Sequence, residues 1–435
     1  MNNNWEKIQL RKLGYSYGGL TNKTKDDFGE GKPYIPYLNI FENSKIDPDN
    51  LDHVQINKNE HQNTVEFGDL FFTTSSETPD EVGMTSVLLD ELKETYLNSF
   101  CFGFRLHNFN DLLPKYAAYL FRGYPVRKEI SLLAQGSTRY NLSKNILFDK
   151  LYLDLPPLPQ QRKIANILST CDQVIEQTEK AIEKYQVIKK GMMQDLFTRG
   201  IDLQTGKLRP KYKDAPHLYK ETELGWIPKE WEVKKFGDLT SETILGLSMR
   251  GSSNSKDNIP LLKMGNLKWG ELKLDQIEKI DPILVDRRYL LSFGDFLFNT
   301  RNTPELVGKT SVWKKEYPIA TFDNNLLRIR FKTGYSSFFI NHYMSFGAGK
   351  NRLKSIVKGT TSVAAIYWKN LTEYKLPIAN NLEQNEIKAK IEAIEKKIQL
   401  EESILFKYKK LKEGLMQDLL TGKVEVEEKA EMGKS

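Results

Sequence analysis

A chain of 435 residues is too long for one ordinary domain and long enough for two or three. Its 39% hydrophobic and 11% aromatic content suits packed cores and excludes a disordered chain, while a charge of +7 permits a nucleic-acid partner without demanding one. Two cysteines, Cys101 and Cys171, in no CxxC pair, exclude a disulfide framework and a structural zinc site, and fit a reducing compartment. The N-terminus, MNNNWEKIQL, has no apolar signal core, and no apolar run approaches the roughly 20 residues that cross a bilayer. The expected location is the cytoplasm, with no membrane partner.

Residues 1–155 are of mixed character. Short apolar or β-branched runs, such as Asp69 to Thr74, alternate with Gly, Pro and Asn turn signals, the pattern of a compact α+β or mostly β domain. Pro156-Pro157-Leu158-Pro159 then opens a long helix, assigned to residues 156–198, because proline suits the first turn of a helix. Its apolar or small positions are Ile164, Leu168, Cys171, Ile175, Thr178, Ile182, Tyr185, Ile188, Met192 and Leu196. The first six steps alternate four and three, the stride of a coiled-coil seam, and the last three shift the register. Such a helix of about 40 residues spans about 60 Å. Residues 199–225 read as a linker.

From there the chain repeats itself, which is the first thing to seek in any sequence. Phe293-Gly294-Asp295 repeats Phe67-Gly68-Asp69, and Val307-Gly308-Lys309-Thr310-Ser311-Val312 repeats Val82-Gly83-Met84-Thr85-Ser86-Val87. Lys358-Gly359-Thr360-Thr361 echoes Gln135-Gly136-Ser137-Thr138, and Leu376-Pro377 echoes Leu155-Pro156. A second domain is assigned to residues 226–378, a second helix to 379–421, and a charged, disordered tail to 422–435. The second stripe, Ile387, Ile391, Ile394, Ile398, Glu401, Leu405, Tyr408, Leu411, Leu415 and Leu419, is the first displaced by 223 residues. The expected architecture is α+β: two homologous α/β domains separated by two long antiparallel coiled-coil helices, with a pseudo-two-fold internal repeat. Ile164, Leu168, Ile175, Ile182 and Tyr185 are assigned to pack against Ile387, Ile391, Ile398, Leu405 and Tyr408. The competing reading is that each stripe docks only on its own domain.

Enzyme signatures are sparse. There is no GxxxxGK[ST] phosphate loop, no Asn-Pro-Pro-aromatic site for amino-methyl transfer, and five histidines show no paired metal-ligand spacing. Pro79-Asp80 with Glu91-Leu92-Lys93 matches a loose PD…ExK nuclease pattern, but the second half does not preserve it. Nucleic-acid signals are more distributed. Arg328, Arg330, Lys332, Lys350, Arg352, Lys354, Lys358, Lys369 and Lys375 share their stretch with the single acid Glu373, and Tyr343, Phe346, Tyr367 and Trp368 interleave. The first half has a weaker set: Arg105, Lys115, Arg122, Arg127, Lys128, Arg139, Lys144 and Lys150. Two loops per half carry donors and acceptors suited to base edges. One is Thr73, Thr74, Ser75 and Ser76, matched by Asn299, Thr300, Arg301 and Asn302. The other is Gln135, Ser137, Thr138 and Arg139, matched by Lys358, Thr360 and Thr361.

In this order, and twice, these features resemble the specificity subunits of type I restriction-modification systems over essentially the full length. The carriers are Leu-Pro-Pro-Leu-Pro-Gln-Gln-Arg-Lys-Ile at 155–164, the Met-Gln-Asp-Leu endings at 193–196 and 416–419, and the opening of the second half, Leu224-Gly225-Trp226-Ile227-Pro228-Lys229-Glu230-Trp231. The Phe-Gly-Asp strands and Gly-Ser/Thr-Thr loops complete the set. The resemblance implies two target recognition domains on double-stranded DNA, each reading half of a split site. It implies helices that act as spacer and as dock for two methyltransferase subunits, which carry S-adenosylmethionine and flip the target adenine. Separate restriction/translocase subunits would use ATP and Mg, and the chain itself would bind no cofactor and no metal. The alternative is a self-contained restriction-methylation enzyme or nuclease. One departure is that Pro377-Ile378-Ala379-Asn380-Asn381-Leu382-Glu383-Gln384 lacks the proline-led start of the first helix.

Overall fold

The computed structural model describes residues 4–248, 258–359 and 363–426. Its contacts divide the chain into two units, residues 1–180 with 402–435, and residues 181–401.

In the first unit the domain closes on itself before its helix departs. Strand Glu6–Gln9 pairs antiparallel with Tyr152–Leu155, so the arriving and leaving chain lie side by side. Between them lies an antiparallel sheet in the order Gly14–Gly18, Cys101–Leu106, Leu70–Thr73, Thr85–Val87. A three-stranded sheet runs Asp52–Val54, Phe28–Ile35, Tyr96–Leu97. Leu70–Thr73 is apolar without alternation because both of its faces are covered. Side chains alternate across a strand. Leu70 and Phe72 accordingly join the main core with Phe102, Phe104, Tyr116 and Phe121, while Phe71 joins a smaller one with Ile35 and Ile40.

The second unit repeats this plan. Glu232–Lys235 pairs with Lys375–Ile378. The main sheet runs Thr240–Leu245, Leu326–Phe331, Phe296–Asn299, Thr310–Val312. The smaller sheet runs Glu278–Ile280, Ile259–Leu262, Thr321–Phe322. Phe296 and Phe298 face one core and Leu297 the other.

The Phe-Gly-Asp repeat is structural. Gly68 and Gly294 hold φ of +87° and +88°, a left-handed turn that L side chains rarely adopt. Asp69, buried, accepts two bonds from the Arg105 guanidinium, at 2.9 and 2.7 Å, and one from the Tyr17 hydroxyl. Asp295, also buried, accepts from Arg330 Nε at 2.7 Å. Each carboxylate thus ties the turn to the central strand of its sheet, and the ion pair holds the Arg105 and Arg330 pKa values above the usual arginine range.

The first long helix, α1, is Leu158–Arg199 and the second, α2, is Asn381–Leu419. The proline missing from the start of α2 is replaced by a cap: Asn380 Oδ1 accepts from the Glu383 amide at 2.9 Å. Beyond the cap the two helix starts coincide. Gln161 donates to the carbonyls of Pro156 and Asp111 and accepts from the Leu113 amide. Gln384 donates to those of Ala379 and Gly334 and accepts from the Ser336 amide. Each buried amide sews its helix start to its own domain.

Both units contain a stretch of both helices. In the first, Lys412 meets Asp172 and Lys409 meets Glu179; in the second, Lys397 lies over the Tyr185 ring and Lys189 meets Glu395. The pairing is antiparallel within each unit. The seam assignment needs correction at its ends. Ile164 and Leu168 belong to the first domain's core, and Ile387 and Ile391 to the second's, so this part of each stripe docks on its own domain. The far ends are exchanged: Met193, Leu196 and Phe197 of α1 join the second domain's core, and Leu419 and Leu420 the first's. Ile182 and Ile398 are buried and Ile175 and Leu405 half-buried along the helix stretch, whereas Tyr408 is exposed. Ile188 and Leu411, one repeat apart, are 43% and 54% exposed, which places the register shift just before them.

Residues 199–225 are not a bare linker. They form the hairpin Ile201–Asp202 with Lys207–Leu208, and Tyr219–Thr222 pairs onward with Gly225–Pro228. Arg209 and Glu383 fasten the hairpin to α2 through a buried ion pair at 2.6 Å, because a buried guanidinium needs a partner. Of the tail, Val426 packs in the first core; the disorder expected for 427–435 lies outside the described residues. No helix among the described residues is long and apolar enough to cross a membrane.

Candidate nucleic-acid interface

The paired loops singled out in the sequence are neighbours in space. In the first unit, Tyr140–Asn141 pairs with Ser75–Ser76, Gln135 exchanges two backbone bonds with Asn141, and the Leu142 amide donates to Thr74. Arg139 Nη2 reaches Ser75 Oγ at 3.0 Å. In the second unit, Arg301–Asn302 and Lys358–Gly359 both flank Ala364–Ala365. Gly136 and Gly359 hold φ of +132° and +139°, so the two tips turn the same way. Each domain therefore presents one ledge built from two loops.

Within the ledges the residues divide by exposure. Gln135, Ser137, Thr138 and Arg139 face solvent in the first, and Arg301 and Lys358 in the second. Thr360 and Thr361 lie outside the described residues. Thr73 and Asn299, one repeat apart, are fully buried and cannot meet a ligand: Thr73 Oγ1 accepts from the Met84 amide, and Asn299 donates to the Arg301 carbonyl. Ser75 is buried as well; Thr74 donates to the Phe100 carbonyl and Ser76 to Glu81, both half-buried. Asn302 donates to Asn299 and keeps partial exposure. These residues shape the ledge, because local side-chain bonds to the backbone are what fix a turn.

The basic residues divide similarly. Arg122 and Arg127, carried on the first domain's helical layer, are spent on the backbone: Arg122 donates to the carbonyls of Thr85, Phe41, Ile40 and Asn43, and Arg127 to those of Gly83, Asp80 and Val82. Burial pushes both guanidinium pKa values down to about 10. Arg105, Arg328 and Arg330 are ion-paired, Arg328 with Glu242 at 2.5 Å. Lys332 donates to the Asp238 carbonyl and Lys375 to Glu223. Sequence reasoning could not tell these from phosphate contacts, since the partners lie tens of residues away.

Of those that remain, Lys115, Lys128 and Lys150 are exposed in the first unit, and three in the second share one helix. Helix Gly347–Ser355 carries Lys350, Arg352 and Lys354, and Trp368–Thr372 carries the exposed Lys369. Lys350 lies 4.1 Å above the Trp269 ring; burial, then Lys354 and Lys309, pull its pKa below the usual lysine range. Arg352 Nε is buried without a hydrogen-bond partner among the described residues. The three like charges of this helix are not without an acid, since Glu305 is close enough to feel Lys354. Beside the ledge, a hollow of about 500 Å³ is lined by Leu245, Arg301, Tyr367 and Trp368. In the first unit Lys144 sits half-buried, 5.4 Å over the Phe102 ring.

Of the nuclease-like pattern, Asp80 accepts from Ser131 at 3.1 Å; among the described residues no group of three or more His, Cys, Asp or Glu side chains is placed to hold a metal ion.

Comparison with known proteins gives the same picture. Residues 2–185 match the family described as type I restriction modification DNA specificity domain. A Methanocaldococcus jannaschii protein assigned as the type I restriction enzyme MjaX specificity subunit is 27% identical over 431 residues, 97% of this chain and 94% of its own. The EcoKI specificity subunit of Escherichia coli K12 is 23% identical over 88% of this chain and 79% of its own. In fold, the S subunit of a type I system from M. genitalium aligns over 96% of this chain and 97% of its own with a TM-score of 0.55 at 14% identity. A chain from a structural study of assembly and conformational transition in the type I R-M system aligns over 98% and 99% with a TM-score of 0.57 at 16% identity. With its duplicated domains and paired helices, the chain is similar from end to end to specificity subunits of type I restriction-modification systems, and its residues 2–185 match their DNA specificity domain.

Proposed function

We propose that the two ledges read the two halves of a split DNA sequence, one each, and that the chain does so as a non-catalytic subunit. The chemistry would be done by two methyltransferase subunits carrying S-adenosylmethionine, and by restriction/translocase subunits using ATP and Mg. The observation that carries the reading is the ledge itself. It is built at the same place in both domains and exposes hydrogen-bonding side chains with a cation at each, Arg139 in the first and Arg301 and Lys358 in the second. Cations hold the phosphates while exposed donors and acceptors meet base edges.

The test is a domain exchange. Replacing residues 1–155 with the matching domain of a relative, and sequencing the methylated sites of a host carrying the methyltransferase, should change one half of the recognised sequence and leave the other. A change in both halves, or in neither, contradicts the reading. The purified chain incubated alone with DNA, Mg²⁺ and S-adenosylmethionine should turn nothing over; cutting or methylation by the chain alone would favour the self-contained enzyme.

A further inference from the structure

One arrangement recurs in both units with its partners exchanged. α1 carries Asp172 and Lys189; α2 carries Glu395 and Lys412, and the repeat offset of 223 takes the first pair to the second. In the first unit Lys412 Nζ lies 2.5 Å from Asp172. In the second, Lys189 Nζ lies 2.9 Å from Glu395. The carboxylate always stands on the helix that leaves the domain beside it, and the lysine on the other helix.

In both units the domain joins in. The Tyr119 hydroxyl donates to Asp172 at 2.6 Å, and Lys45 lies 3.3 Å from the same carboxylate. Lys45 and Lys412 also stand 5.0 and 5.9 Å from the Tyr119 ring centre. In the second unit Glu271 lies 3.0 Å from Lys189, and Lys314 3.9 Å from Glu395. The position of Tyr119 is taken there by His342, wholly buried in the helix Ser337–Ser345. Three bodies meet at each point: one domain and both helices. An isolated surface ion pair contributes little. These are partly buried and shared three ways, so removing one member leaves charges without partners.

Apolar packing holds a domain against a helix but is non-directional, whereas ion pairs and hydrogen bonds are directional. We infer that these exchanged clasps fix the angle at which each domain is held on its helix pair, and so make Asp172, Lys412, Glu395 and Lys189 positioning residues for half-site spacing. The inference rests on the reading of the ledges as DNA-reading surfaces. Each clasp governs its own domain, because each lies wholly within one unit.

The experiment uses the full chain assembled with its methyltransferase subunits, and duplexes carrying both half-sites at the natural spacer or one base pair shorter or longer. Lys412→Met should leave the thermal midpoint within a few degrees and lower the preference for the natural spacer about tenfold, a size ordinary for coupling between separate sites. Lys412→Arg should keep the preference. Unchanged preference in a folded Lys412→Met complex overturns the inference. Should that variant not fold, Tyr119→Phe, which removes one hydroxyl, decides the matter: a partial loss supports the clasp and no loss overturns it. A measurement without DNA separates this inference from the functional reading. Spin labels at Ser137 and Glu413 in a Cys171→Ser background should show a broader distance distribution in Lys412→Met, and an unbroadened one counts against the clasp. A wild-type complex with no spacer preference would overturn the functional reading instead, whatever the label distances show.

Discussion

In the first half Asp69 receives one arginine and one tyrosine; in the second Asp295 receives Arg330, with Arg328 buried 3.9 Å away. The turn glycines before them hold almost the same φ, and the glutamines that start the two helices make the same three kinds of bond. The ledges differ. The first offers Gln135, Ser137, Thr138 and Arg139; the second offers Arg301 and Lys358 next to the exposed Tyr367 and Trp368. The halves share the turns and staples of their frame, and at the ledges they differ in what faces solvent. A fold duplicated to read two sequences must keep its staples and vary its surface, because a lost buried bond costs stability whereas an exposed side chain is energetically almost free to change.

Four measurements would break or sharpen this comparison. The largest effect is expected at the staples. Asp295→Ala should cost about 3–5 kcal/mol in urea unfolding of the second unit, since it takes one of two carboxylates from the buried Arg328. Asp69→Ala should cost less, because Arg105 keeps Glu66 just as Arg330 keeps Glu242, and among the described residues no second buried arginine is paired with Asp69. Equal costs would show that the second buried arginine adds nothing.

Next in size is a pH effect confined to one half. Burial pushes the His342 imidazole down to about 4, with Lys189 and Lys314 acting in the same direction against Glu395 and Glu271. The unfolded imidazole titrates near 6.5. Between those values the unfolded chain takes up a proton that the folded one refuses. Stability from this group is therefore full above about 6.5 and is lost as the pH falls toward 4, by up to about 3 kcal/mol. His342→Tyr, which installs the first half's residue, should flatten that window in a pH series of thermal midpoints. The same slope with tyrosine in place would assign it to another group.

Gln161→Ala and Gln384→Ala should each cost about 1–3 kcal/mol by leaving buried backbone groups unpaired. Since the two side chains do the same work, their costs should agree closely; a large disparity would mean that the two helix starts only look alike. The smallest effect is expected at the cap: Asn380→Ala should cost about 1 kcal/mol, and Asn380→Pro, which restores the first half's pattern, less than that. A greater loss with proline would show that the cap cannot be exchanged for the ring.

Periodicity, punctuation and self-similarity were enough to expect the two long helices, found at Leu158–Arg199 and Asn381–Leu419, and an α+β fold repeated in two halves. Those features are local or repeat along the chain, and hydrophobic spacing reports the face an element must bury. The hairpin within residues 199–225 escaped notice because its short strands are polar and its anchor, the Arg209–Glu383 pair, spans 174 residues. The same blindness affected charge. Arg105, Arg122, Arg127, Arg328 and Arg330 read as candidates for phosphate contact, yet each is committed to a carbonyl or carboxylate elsewhere in the fold, while Lys350 and Lys369 are not so paired among the described hydrogen bonds and ion pairs. A guanidinium looks the same in a sequence whether water, a backbone or a carboxylate surrounds it. Only the tertiary structure decides which, because the partner is brought within about 3 Å, hydrogen-bonding distance, by the packing of elements far apart along the chain.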